Sequence, residues 1–111
     1  MTARKPPEQA LANAHGRARQ ALEQALAAAE LSGRPVPCRG AEAPAWTADD
    51  AETLEVAALY CTDCPALEEC RSYAVAAGED GGAWGAMTPA QIRRARRRAQ
   101  EQKTRRADRA A

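Results

Sequence analysis

With no phenylalanine, one isoleucine (Ile92), three valines and seven leucines, this chain of 111 residues has too few large apolar side chains to hold a domain together by burial alone. Alanine supplies most of its 45% apolar residues. It has the highest helix propensity but buries little area, and at about 25 cal/mol per Å2 that area contributes far less than leucine or phenylalanine would. The composition predicts helices that form readily and pack weakly. Such an all-α fold needs a staple, which can be a disulfide, a metal or a partner chain. Four cysteines, Cys38, Cys61, Cys64 and Cys70, are the obvious candidates.

No stretch approaches the roughly 20 apolar residues of a membrane span. The start, Met1-Thr2-Ala3-Arg4-Lys5-Pro6-Pro7, lacks the apolar run of a signal peptide. The expectation is a cytoplasmic protein with no membrane partner, in a reducing compartment where thiols favour metal over disulfide.

The formal net charge of +1 conceals two opposed blocks. Met1 to Ala90 carry seven Lys/Arg against thirteen Asp/Glu, and Gln91 to Ala111 carry nine against two. An acidic body with a basic tail follows, and the chain divides into an N-terminal helical extension (1–34), a cysteine domain (35–90) and an Arg-rich C-terminal helix or tail (91–111).

Helix signals fill in this plan. Leu11, Ala14, Ala18, Leu22 and Ala25 recur at three- and four-residue steps, which predicts a helix from Pro6 to Leu31 stopped by Gly33 and Pro35. Arg34-Pro-Val-Pro-Cys38 is expected to be an extended arm, because proline restrains itself and its predecessor. Thr47-Ala-Asp-Asp50 resembles a capping box for a helix reaching about Tyr60, and Pro65 suits the first position of a helix over Ala66 to Ala77 with Gly78 as its stop. Glu79 to Gly85 is a glycine-rich turn that presents Trp84, and Thr88-Pro89-Ala90-Gln91 opens a last helix. The result is a small four-helix arrangement around the cysteines.

The cysteines follow the spacing C-x22-C-x2-C-x5-C. This brings three thiolates from a compact turn and helix, and a fourth from a separate arm, to one point. Four thiolates suit tetrahedral zinc or a cubane cluster, and spacing alone leaves both open. The single histidine, His15, reads as a helix-surface residue, and with no second histidine to build a catalytic set, catalysis is not expected. A thiol–disulfide oxidoreductase using Cys61-Thr-Asp-Cys64 is the enzymatic alternative, but the surrounding βαβ pattern of a thioredoxin fold is missing.

Taken together, Cys38-Arg-Gly, Cys61-x-x-Cys-Pro, Cys70 followed by Tyr73-Ala, Gly78-Glu, and the Gly82-Ala-Trp84-Gly85 turn resemble the WhiB-like family over roughly Pro35 to Arg98. The resemblance implies an actinobacterial or actinophage regulator of transcription that carries a [4Fe-4S] cluster on Cys38, Cys61, Cys64 and Cys70, with zinc as the alternative. It implies sensitivity to oxygen and nitric oxide, and docking on the C-terminal domain of the primary sigma factor of RNA polymerase. Gly82, Trp84 and Gly85 are the expected sigma contacts. The chain is expected to be monomeric outside that complex, and disulfide reduction by the apo form is an idea raised for the family.

Two departures stand out. Where the family usually has Gly-Val/Ile-Trp-Gly-Gly, this chain ends the turn with Ala86, which is strained if that position needs a positive torsion. After Cys38 the family often has Asp-Pro and paired aromatics, and here stand Glu42, Pro44 and a lone Trp46. In the basic tail, Arg93, Arg94, Arg96, Arg97, Arg98, Lys103, Arg105 and Arg106 are the candidate contacts to promoter DNA. Contacts of that kind position a protein without reading sequence. The bland alternative is a solvated, partly disordered tail.

Overall fold

The computed structural model describes residues 7–110, with side chains from residue 15 onward. The expected start at Pro6 and the side chains of Leu11 and Ala14 lie outside the described residues. Four α-helices form: α1 (Pro7–Leu31), α2 (Ala51–Tyr60), α3 (Leu67–Ala77) and α4 (Pro89–Ala110). Short 3-10 turns at Pro37–Arg39, Ala43–Thr47 and Cys61–Asp63 link the first three helices. Among the described residues the β structure is one isolated bridge, Trp84 to Met87. The fold is all-α, as the alanine-rich composition predicts.

Local chemistry explains the helix ends. α1 stops at Gly33, whose φ of +71° few other residues tolerate. The Arg34 N–H then reaches back to Ala29 O at 2.9 Å and the Gly33 N–H to Glu30 O at 3.2 Å, closing a Schellman motif. Gly78 ends α3 in the same left-handed conformation. At the start of α4 the Thr88 N–H donates to Gln91 Oε1 at 2.9 Å, and the Gln91 N–H donates to Thr88 Oγ1 at 3.4 Å. That is the reciprocal capping box its sequence announces.

Three local expectations are corrected. The cap of α2 is Asp50, not Thr47: Asp50 Oδ2 accepts from the Thr53 N–H at 2.9 Å and from the Thr53 hydroxyl at 2.6 Å. Thr47 is used up in the 3-10 turn, where its hydroxyl donates to Pro44 O. These bonds hold the Asp50 carboxyl below its ordinary pKa. The cap is therefore complete above the usual aspartate range and is lost as the pH falls through the lowered value. Second, Pro65 lies in a turn before α3 rather than at its first position, and Ala66, with no side-chain acceptor, is the N-cap. Third, residues 34–36 are extended as expected, but Cys38 itself sits on the 3-10 turn.

The core is as thin as the composition implies. Ile92 is the one large side chain with no exposed surface among the described residues. Three small clusters carry the packing. Trp46, Leu54, Ala57, Ala58, Cys61 and Ala83 hold α2 to the 3-10 turn before it and to the Trp84 turn. Leu22, Ala66 and Tyr73 hold α1 along α3, with Ala18, Ala25 and Leu26 beside them. Ile92, Met87 and Ala74 pin the start of α4 to α3. His15 is half-buried at the α1–α3 seam, its ring centre 5.4 Å from that of Tyr73.

Beyond Ala99, every described residue of α4 is exposed. The helix projects from the body, which gives the molecule extents of 53 × 31 × 22 Å. The basic segment is thus helical to Ala110 and, beyond Ala99, solvated as the bland alternative expects.

The turn between α3 and α4 reverses at Gly85-Ala86. The Trp84 N–H donates to Met87 O at 3.0 Å and the Met87 N–H to Trp84 O at 2.9 Å. Gly85 has φ +52° and Ala86 φ +63°, the signature of a type I′ turn, and Ala86 is the one non-glycine residue with positive φ among those described. The strain expected there is present. Ala86→Gly is expected to stabilise the fold by about 1 kcal/mol, since a left-handed torsion costs a residue with a Cβ about that much. Thermal unfolding checks it, and an unchanged or lower melting temperature contradicts it.

Candidate metal centre

All four cysteines line one cavity of about 600 Å3. Each arrives on a different piece of backbone. Cys38 comes from the exposed 3-10 turn Pro37–Arg39, Cys61, itself buried, opens the 3-10 turn after α2, Cys64 follows that turn, and Cys70 lies on α3. All four are free thiols. Leu22 and Leu26 of α1, Trp46, Leu67, and the Gly81 to Gly85 turn with Trp84 complete the walls.

Hydrogen-bond donors are aimed at the sulfur atoms. The buried Trp46 Nε1–H donates to Cys61 Sγ at 3.2 Å, and the Ala66 N–H donates to Cys64 Sγ at 3.4 Å. Burial nonetheless pushes the Cys70 thiol up to about 12, the Gly85 N–H opposing it and the neighbouring thiols adding to it. The Cys38 thiol is also raised, first by burial and then by Cys64 and Cys61, against a lowering by Arg39. Four thiolates together would repel one another here, so the donor set asks for a cationic centre.

The breadth of the site bears on which centre fits. Tetrahedral zinc, with Zn–S near 2.3 Å, needs its sulfur atoms within about 3.8 Å of one another. Among the described residues no three Cys, His, Asp or Glu side chains come together closely enough for a single ion. All four thiols line this cavity without closing on one point.

The expected sigma contacts all lie in the cavity wall. Gly82, with φ +81°, abuts the Trp46 carbonyl, which a Cβ would approach to 2.8 Å, and Gly85 lies against the backbone of Arg71. The half-buried Trp84 ring stacks at 5.3 Å from Tyr73, and its Nε1–H donates to Gly81 O at 2.9 Å. These residues close the turn onto α3 whatever else they touch.

The expected DNA contacts are exposed along α4. At about 100° per residue, Arg94, Arg98 and Arg105 share one ridge, roughly opposite the Ile92 face, with Arg93 and Arg97 on its flank. Arg106 falls near the Ile92 face, but beyond the body. Arg96 is diverted, because its guanidinium lies over Gly78 at the C-terminal end of α3, where a cation is favourable. Lys103 lies along a shallow groove with Val75, Met87 and Ala95.

Sequence reasoning missed three elements of the site. Leu26 falls outside the apolar stripe of α1, and Leu22 was legible as part of that stripe but not as a wall of the cavity. Trp46 carried no spacing signal, since only the fold returns its ring to Cys61.

A family model described as "Transcription factor WhiB" matches residues 34–99. Two curated relatives from two strains of Mycobacterium tuberculosis, each named "Transcriptional regulator WhiB1", are 43% identical over 42 residues, which is 38% of this chain and 50% of theirs. The matched segment thus spans about half the length of those relatives. No solved structure matches. No described helix is long and apolar enough to cross a membrane. Because the family match covers more than half of the chain and takes in all four cysteines, the Trp84 turn and the first half of α4, this protein belongs to the WhiB family of transcription factors.

Proposed function

We propose that Cys38, Cys61, Cys64 and Cys70 together hold a [4Fe-4S] cluster, and that the loaded protein regulates transcription in response to redox conditions and nitric oxide, with the primary sigma factor at promoter DNA. The observation that supports this reading is that all four thiols line one cavity and lie within the family-matched segment. When bound, such a cluster supplies a one-electron centre whose potential depends on charge, hydrogen bonds and solvent access. The chain's own residues control those three quantities. Trp46 and Ala66 supply N–H donors, Leu22, Leu26 and Leu67 exclude water, and Asp63 and Glu68 add negative charge close by in sequence.

The sigma-factor part is tested by co-purifying the loaded chain with the C-terminal domain of the primary sigma factor under argon, before and after nitric oxide. Retention is expected to differ at least several-fold between the two. Equal retention contradicts the reading.

The basic helix is proposed to hold DNA through phosphate contacts. Replacing Arg94, Arg98 and Arg105 by alanine is expected to weaken promoter binding at low salt, and to reduce the slope of log K against log salt by about 0.9 for each phosphate no longer neutralised. An unchanged slope removes that ridge from the interface. Arg96 is a poor probe, since its removal also unpins the end of α3.

A further inference from the structure

We propose that Trp46 is a positioning residue for the cluster, donating its indole N–H to Cys61 Sγ and thereby raising the potential at which the centre accepts one electron. This rests on the cluster reading given above.

Indole Nε1–H is a donor only, and a buried donor left without a partner is costly. Trp46 is 6% exposed, and its Nε1 lies 3.2 Å from the sulfur of Cys61, itself 7% exposed. The ring cannot easily turn away. Leu54, Ala57, Ala58 and Ala83 pack around it. Its backbone is clamped as well, since Trp46 O accepts the Ala83 N–H at 2.9 Å and the Gly82 backbone lies directly against it.

The other polar neighbour of Cys61 Sγ behaves differently on metal binding. Ala57 O, at 3.7 Å, is an acceptor, so the sulfur can meet it only as a thiol, by donating S–H. A ligating thiolate has no proton to give. The indole is then the donor that remains, and its N–H favours whichever state places more negative charge on sulfur. Adding an electron does so, hence the direction of the effect.

Cys61 also differs from Cys64, whose donor is the backbone N–H of Ala66. At Cys61 the donor is a side chain, and a substitution can remove it while leaving the backbone in place. Trp46→Phe keeps most of the ring packing and deletes the N–H.

The experiment compares the loaded full chain, Trp46→Phe and Leu54→Val under argon. Leu54→Val is a packing control that loosens the same cluster without touching the donor. Each is titrated with a low-potential reductant such as dithionite, which supplies the electron, and the loss of its absorption is then timed in air. Trp46→Phe is expected to show a more negative potential and a several-fold shorter lifetime in air, and Leu54→Val a potential like that of the parent. Equal potentials for Trp46→Phe and the parent overturn the inference, as does an equal shift in Leu54→Val. If Trp46→Phe does not load, proton NMR of the unaltered loaded chain decides. Of its two indole N–H resonances, that of Trp46 should shift more on loading than that of Trp84, which is bonded to Gly81 O; a Trp46 resonance that shifts no more than that of Trp84 overturns the inference. A parent chain that takes up no iron under argon overturns the cluster reading and this inference together, whereas loaded chains of equal potential overturn this inference alone.

Discussion

Cys61→Ser is expected to lose at least about nine-tenths of the bound iron and to lower the melting temperature of the anaerobically loaded protein by about 10 °C or more. With Ile92 the one large side chain fully buried among the described residues, and only three small clusters carrying the packing, little apolar area joins α2, α3 and the Cys38 turn. Because a preformed site rarely exists in an unfolded chain, the free energy of binding a centre there is folding free energy. In a domain of this size each kcal/mol shifts the midpoint by about 4–8 °C. In the apo protein the same substitution should matter little, since a serine hydroxyl can donate to Ala57 O where the thiol does. The comparison that counts is therefore loaded against apo. If the loaded parent melts where its apo form does, the staple role is wrong.

Gly85→Ala is expected to destabilise the fold by about 2–4 kcal/mol, whether or not the protein is loaded. A Cβ at this position meets Arg71 N at 2.6 Å and Arg71 Cα at 2.8 Å. Neither atom can yield unless α3 moves. Residue 85 also has φ +52°, which a residue with a Cβ adopts only at a cost. Arg71 follows Cys70, so a displaced α3 takes one thiol away from the other three. Gly81→Ala is the matched control. It has no positive φ and nothing within 4 Å of the added methyl, so it should stay within about 0.5 kcal/mol of the parent. Thermal unfolding of both variants checks this, and similar losses of stability in the two would refute the packing account.

What could be read in advance was local. The stops at Gly33 and Gly78 and the Thr88–Gln91 box involve residues within a turn of one another, and each formed as its sequence indicates. The strain at Ala86 was legible because alanine stands where the family has glycine. The cap of α2 was misread because two acceptors, Thr47 and Asp50, compete there, and Pro44 commits Thr47 to the preceding turn.

What escaped was non-local. Nothing in the spacing of Leu22 and Leu26 reveals that α1 lies along α3 and walls the cysteine cavity. Nor does a lone tryptophan announce a bond to a cysteine fifteen residues ahead. Arg96 belonged to an apparent charge run, yet its guanidinium rests over the end of another helix. The cysteines were legible as a set because metal chemistry demands several thiols together. That all four line one cavity became visible only in three dimensions.

The most direct test of the central claim is a count of iron and acid-labile sulfide in the full chain purified under argon. The account predicts about four of each per chain, lost together when any one of Cys38, Cys61, Cys64 or Cys70 becomes serine. One zinc with no sulfide, or metal retained after such a replacement, contradicts it.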